Sequence, residues 1–554
     1  MHYRLSIMLL TATWLLSALH ISGCTNFLVG KKASTDGSIF ITYNADDYGM
    51  YGRLVYLPHQ KHAKGSMRRI VDGDTHHYHG DIPEAKETYA VNGYINEHQL
   101  TIMETTFGGR EELVDTLGRL DYISLMRVAL QRAKTAREAI RVMTTLVSKY
   151  GYNSEGETFS IADPNEMWIM EMIGKGSGER GAVWVAVRIP DDAIACHANQ
   201  SRIHKFLQYD SKDVIYSKDV ISFARKKGYF KGSDKDFSFS AAYAPADFSA
   251  IRYCEARVWS FYNRFVDGMD KYLDYADGRH IGTAEPMPLY FKPKRKLSLQ
   301  DMRDAMRDHY EGTPFDVQKD CGMGPSEMPY RPTPLEWEYN GKRYFNERPI
   351  STQQTADTYI AQIRSWLPAT IGGVLWYGND DPNMISYVPI YCQNESVPPC
   401  FDAQGADGAH FSSESAFWVC NWVSNMTYPR YNLLFPVLKI ERDRLDSIFS
   451  SEQSRNEAEA LELYKESPAK AQQYLNKVST ASAVLMMKTW KALGERLIVQ
   501  FNDMAIKPMK DGKYEYTTDG IPVRVKRPGY SDSYRRKIVE ETGDKYLVPQ
   551  QNSK

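Results

Sequence analysis

Beyond its first two dozen positions the chain has no run of about 18 apolar residues, the length that spans a bilayer, so no transmembrane anchor is expected. It also lacks a charge bias. The net charge is −1 with 25% charged residues, and no basic run alternates with aromatics, so no nucleic-acid partner is expected. There is no glycine-rich phosphate loop, internal repeat or low-complexity segment. Cysteine is scarce: Cys24, Cys196, Cys254, Cys321, Cys392, Cys400 and Cys420 are all there are. Their spacings fit no zinc pattern, and no metal or cofactor is expected. Thr75-His-His-Tyr-His79 puts His77 and His79 on one face of a strand, but with no second ligand cluster nearby it reads as a solvated edge or loop.

What is present is a 554-residue chain that is 42% hydrophobic, ordinary for a soluble globular protein. That length allows about three or four domains, or one sheet-rich domain with insertions. Residues 1–23 carry Arg4, an apolar run from Ile7 to Leu19 and small residues at Ser22-Gly23, the pattern of a secretory signal peptide. An exported protein, periplasmic or at the cell surface, is therefore expected. Cleavage after Gly23 makes Cys24 the first mature residue. An α-amine titrates at about 7.7–8.0 and suits a general base. Held on the same Cα as the thiol, it takes the thiol proton without a distant histidine. The rival reading is that Ile21-Ser22-Gly23-Cys24 is a lipobox. Diacylation would then turn the sulfur into a thioether, tether the protein to a membrane and leave a non-catalytic surface lipoprotein.

After Cys24 the residues alternate with period two, and Thr35-Asp-Gly-Ser38 supplies a turn before Ile39, Ile41 and Tyr43. The resulting hairpin brings Asp46 back toward Cys24, where it is expected to orient the nucleophile. Six further cysteines in an exported protein permit disulfides; Cys392 and Cys400 are either a loop-closing pair or buried thiols.

Cys24-Thr-Asn-Phe-Leu-Val-Gly-Lys-Lys-Ala-Ser-Thr-Asp-Gly-Ser38 resembles the start of the bacterial dipeptidase A family, related to the secernins. That family belongs with choloylglycine hydrolases and penicillin V acylases among N-terminal-nucleophile cysteine hydrolases. The likeness continues at Ser160-Ile-Ala-Asp-Pro164, Gly181-Ala-Val-Trp-Val-Ala186, Cys196-His-Ala-Asn-Gln200 and Asp308-His-Tyr-Glu-Gly-Thr-Pro-Phe-Asp316. It implies an α+β fold, the four-layer αββα sandwich of N-terminal-nucleophile hydrolases, with helical additions in the C-terminal part. It implies cleavage of dipeptides, with an amidase or acylase of the choloylglycine-hydrolase type as the alternative; a homo-oligomer is left open. By position Asn199 matches the asparagine that stabilises the oxyanion in such enzymes, and Glu104-Thr-Thr-Phe107 borders the site. Either Arg257 or Arg252 matches an arginine kept near the nucleophile. One departure stands out: relatives often read Arg-Asn-x-Asp where this chain has Tyr43-Asn-Ala-Asp46, and a tyrosine carries no charge to lower the thiol pKa.

Hairpins are expected over 90–106, with a turn at Asn96-Glu-His98, and again from Phe159 to Ile189. Helix is expected from about 112 to 150, with a capping box at Thr135-Ala-Arg-Glu138, and from Ser298. Strands are expected from Trp366 to Tyr391. Residues 24–450 read as the hydrolase domain. Residues 451–554 read as a helical extension, its second helix starting at Ser467-Pro468.

Overall fold

The computed structural model describes residues 23–549. Of the expected signal peptide, all but Gly23 lies outside the described residues. In chain order the first strands are β1 (Asn26–Val29), β2 (Ile39–Asp46), β3 (Tyr56–Leu57), β4 (Val91–Asn92), β5 (Ile95–Asn96) and β6 (Thr101–Gly108). Next come β7 (Gly156–Ala162), β8 (Met167–Gly174), β9 (Ala182–Ile189), β10 (Ile194–His197) and β11 (Val214–Tyr216). The last are β12 (Tyr290–Phe291), β13 (Thr355–Ile363), β14 (Val374–Asn379) and β15 (Val388–Tyr391). They form a seven-stranded sheet, ordered β12-β10-β1-β2-β13-β14-β15, and an eight-stranded one, β11-β9-β8-β7-β6-β5-β4-β3. All pairings in both are antiparallel.

Strand β8 shows why the sequence pattern is apolar without a break. Met167, Ile169 and Ile173 enter the larger core, which also holds Phe27, Ile41 and Val187. Trp168, Met170 and Met172 enter a second core with Leu125, Met126, Ile140 and Met143 of helices α1 (Tyr122–Arg132) and α2 (Ala136–Tyr150). Alternation with period two thus serves two cores at once, each buried side chain contributing about 1.5–3 kcal/mol. Glu171 is the polar exception, accepting from the Arg202 and Ile203 amides and from Ser201 Oγ.

Further along are helices α3 (Ala256–Phe265), α4 (Leu299–Met306), α5 (Ala416–Thr427), α6 (Tyr431–Glu466) and α7 (Pro468–Phe501). The helix expected from Ser298 forms, and Ser298 closes a capping box with Asp301 that was not expected. At α2, Thr135 accepts from the Glu138 amide, but Glu138 reaches back to the Lys134 amide instead, one residue short of a reciprocal box. Pro468 stands at the first turn of α7 as expected. Helix α6 begins well before residue 450, so the 450/451 division falls inside it. It is tied to the sheet side by Arg364–Glu457 at 2.6 Å and Arg307–Asp446 at 2.7 Å.

Three expectations are corrected. Over 90–106 the turn expected at Asn96-Glu-His98 forms between β5 and β6, where the Gln99 amide donates to the Asn96 carbonyl at 2.9 Å, but a second turn at Gly93-Tyr94 splits the first arm into β4 and β5, because Gly93 supplies the positive φ that a two-residue turn needs. The 112–150 helix is two helices separated at Ala133, and only one short 3₁₀ turn precedes Tyr122. Trp366 lies outside any strand, half exposed, while the longest central strand is β13, before it. All seven thiols are free. His77 and His79 face each other, with His79 3.6 Å from Asp72, and among the described residues no three His, Cys, Asp or Glu side chains converge to hold a metal.

Candidate active site

Cys24 sits just before β1, in the middle of the seven-stranded sheet, and is 5% exposed. Its neighbour Thr25 bridges Asn44 of β2 through two backbone bonds of 3.1 and 3.3 Å. This ladder carries Asp46 to the level of Gly23, whose amide donates to the Asp46 carbonyl at 2.8 Å. The polar face of β2, Thr42, Asn44 and Asp46, is buried but satisfied, as burial of polar groups requires. Thr42 accepts from the Phe27 amide, Asn44 from Thr358, and Asp46 from Thr355 and Arg348.

The Cys24 thiol donates to Tyr43 Oη at 3.6 Å and lies 3.9 Å from Glu104 Oε1; Tyr43 Oη in turn donates to Glu104 Oε1 at 2.6 Å. The tyrosine that stands in place of an arginine is therefore a link between sulfur and carboxylate. Burial, reinforced by the charges of Glu104 and Asp46, pushes the thiol well above its ordinary range, while the Tyr43 hydroxyl and the Asp46 amide pull it back. Burial also raises Glu104 to about 7, partly offset by its bond from Tyr43. With Cys24 nitrogen still joined to Gly23, the sulfur has no base of its own.

Two arginines occupy the other side. Arg257 follows a wide π-helical turn, Ala250–Glu255, and its Nε is held by the Tyr253 carbonyl at 2.6 Å. Its fork donates to the Cys24 carbonyl (2.6 Å), Thr25 Oγ1 (2.8 Å), the Ala198 carbonyl (3.1 Å) and Asn199 Oδ1 (2.9 Å). Asn199, in the left-handed region at φ +62°, donates through Nδ2 to the Thr106 carbonyl at 2.7 Å. With its oxygen committed to Arg257, the amide can only present N–H to a substrate. Arg252 is elsewhere, paired with Glu347 and stacked on Phe315.

Arg348 bridges the Gly23 carbonyl (2.5 Å) and Asp46 Oδ2 (2.6 Å). Burial pushes the Asp46 carboxyl up and Arg348 and Thr355 draw it back. Asp46 thus meets Cys24 through its backbone, while its carboxylate is spent on Arg348 and Thr355. His197 closes the floor between Thr105 and Ser160, each at 2.7 Å, and burial lowers it to about 3, so it stays neutral. The loop at Asp308–Asp316 bounds a separate polar cavity with Arg264, Arg307 and Arg442, none of which contacts Cys24.

Cys24, Asp46 and Asn199 are therefore brought together, and Arg257 is the arginine among them. Sequence reasoning missed Arg348 and the carboxyls of Glu104 and Glu157. Glu104 lay in a stretch already marked as bordering the site, but its carboxyl reaches the sulfur across 80 residues of sequence.

The model described as Peptidase family C69 matches residues 23–440. A probable dipeptidase of Salmonella dublin is 27% identical over 401 residues, covering 69% of this chain and 83% of its own length. Dipeptidase A of Lactobacillus helveticus is 27% identical over 428 residues, covering 72% and 80%. A dipeptidase of Bifidobacterium longum is 25% identical over 434 residues, covering 71% and 75%.

Proposed function

The chain belongs to peptidase family C69, and from that membership and the surroundings of Cys24 we propose an exported cysteine dipeptidase whose nucleophile is the mature N-terminal residue. The names of the relatives support dipeptides as substrates. Two antiparallel sheets, one backed by α1 and α2 and the other tied to α6, support the four-layer αββα arrangement of N-terminal-nucleophile hydrolases.

In this reaction the freed α-amine of Cys24 takes the thiol proton. The thiolate adds to the peptide carbonyl carbon, and the carbonyl π electrons move onto oxygen. The Asn199 N–H donates to that oxyanion; such a donor is worth about 2.7–4 kcal/mol. The tetrahedral intermediate collapses, the C–N bond breaks, and the ammonium at Cys24 returns its proton to the departing amine. Water then adds to the thioester, the C–S bond breaks, and the thiol is restored.

The observation that carries this reading is the Arg257 fork, which grips the Cys24 carbonyl and the Asn199 oxygen with one guanidinium. A lone structural cysteine needs no such tie to an asparagine amide. The burial of Cys24 also speaks against a lipid on its sulfur, since a diacylglyceryl group has no room beside Tyr43 and Glu104.

The test is mass spectrometry of the mature N terminus, together with a dipeptide panel run on wild type and Cys24→Ala. A bare Cys24 with activity lost in the variant is the expected result. Equal activity in both proteins, or a diacylglyceryl adduct, overturns the proposal.

A further inference from the structure

We propose that Glu104 and Glu157 form the receptor for the free α-ammonium group of the peptide substrate, so that a free N terminus is required for cleavage. This rests on the dipeptidase reading above and specifies the substrate end that the site grips.

Glu104 and Glu157 come from adjacent strands. Thr106 pairs with Glu157 across the β6–β7 ladder, and Glu104 is two residues along β6, so both carboxyls lie on one face as diagonal neighbours. Each is 1% exposed. Glu104 Oε1 accepts from Tyr43 and Glu157 Oε1 accepts from Thr106 at 2.7 Å. The second oxygen of each, Glu104 Oε2 and Glu157 Oε2, accepts from no other residue, and the two carboxyls lie close enough to share a proton. Two adjacent buried carboxylates cannot both ionise without a cation, and buried carboxylate oxygens with no other partner carry a penalty of several kcal/mol. A cationic ligand relieves both conditions.

The position fits an ammonium. In an α-amino acyl group the nitrogen lies about 2.5 Å from the carbonyl carbon. An attacking sulfur stands about 3–3.5 Å from that carbon, which puts the ammonium within about 6 Å of Sγ. Glu104 Oε1 is 3.9 Å from Cys24 Sγ, so the carboxyl pair stands where the nitrogen arrives. The other local charges do not compete. Arg257 and Arg348 hold the opposite side, and the amine released from Gly23 is generated beside Asp46 and Arg348. Asp74, exposed and near enough to raise Glu104, carries the negative potential outward to draw a cation in.

An N-acylated peptide brings a neutral amide to the same place and leaves the carboxyls unpaired, so discrimination follows from the penalty rather than from shape. Steady-state kinetics on Ala-Ala and N-acetyl-Ala-Ala test this with wild type, Glu157→Gln and, because Glu104 also touches the nucleophile's hydrogen-bond chain, Glu104→Gln as a second variant. Wild type is expected to prefer the free dipeptide. Glu157→Gln should shrink that preference about 30-fold or more, chiefly through KM, because a buried partner of a charge is lost. An unchanged preference in a folded, active variant overturns the receptor while leaving the dipeptidase intact. If wild type cleaves neither peptide, the dipeptidase reading fails, and calorimetric titration with L-alaninamide judges the receptor alone. Binding weakened by Glu157→Gln upholds it; no binding to wild type, or equal binding to both, overturns it.

Discussion

The guanidinium of Arg257 holds the side-chain oxygen of Asn199 at 2.9 Å while its other nitrogen holds the Cys24 carbonyl at 2.6 Å. One planar group thereby sets the distance between Cys24 and the Asn199 amide. A lysine offers a point charge and no fork. Arg257→Lys is expected to lower kcat about 10- to 100-fold, as misplaced catalytic groups do. Arg252→Lys, at a pair with Glu347 outside the site, should leave kcat within about twofold. Steady-state assays of both variants on one dipeptide decide it.

Asn199→Ala removes the N–H that the proposed reaction offers to the oxyanion. The expected loss is about 10²–10³ in kcat with little change in KM, because the bond is made in the transition state. A loss confined to KM would show that Asn199 holds the ground-state substrate instead.

Asp46 and Arg348 are each no more than 2% exposed. Asp46→Ala strands a buried guanidinium and should lower the unfolding free energy by about 3–5 kcal/mol. Replacing both, Asp46→Ala with Arg348→Met, should recover part of that loss. Chemical denaturation of the four proteins in a double-mutant cycle gives the coupling.

Burial holds the Glu104 carboxyl, which shares its proton with Glu157, up at about 7 in the folded protein against an ordinary 4.5. The folded state keeps this proton where the unfolded chain has released it. Its stabilisation is full below about pH 4.5 and is lost as pH rises through about 7. Glu104→Gln cannot titrate, so its melting temperature should fall less between pH 5 and pH 8 than that of wild type. Scanning calorimetry at the two pH values measures the difference.

Much of this was legible in local pattern. Ser298 and Ser467-Pro468 announced helix starts, and the apolar stretch from Met167 to Met172 a strand. Strand β13 escaped because Thr355, Asp357, Thr358 and Gln362 make it look polar. It is buried throughout, its polar groups bonded to Asp46, Tyr377, Asn44 and Trp376. That Cys24 and Asp46 come together was readable from the hairpin pattern around Asp36-Gly37, whereas Asn199 was placed beside them only by likeness to relatives. Arg348 was not, since it reaches the site across 302 residues of sequence. The carboxyl pair escaped for a different reason: nothing short of the β6–β7 register puts Glu157 beside Glu104.

The ties of α6 to the sheet have a practical reach. Glu457 and Asp446 neutralise Arg364 and Arg307 from a helix that straddles the point where a domain border would be drawn. A polypeptide stopped at residue 450 would keep the Arg307 pair but leave the Arg364 guanidinium without its carboxylate, bonded only to the Gly372 and Ile371 carbonyls. Shortened versions meant for crystallisation or display should therefore retain the whole antiparallel rod pair through Phe501.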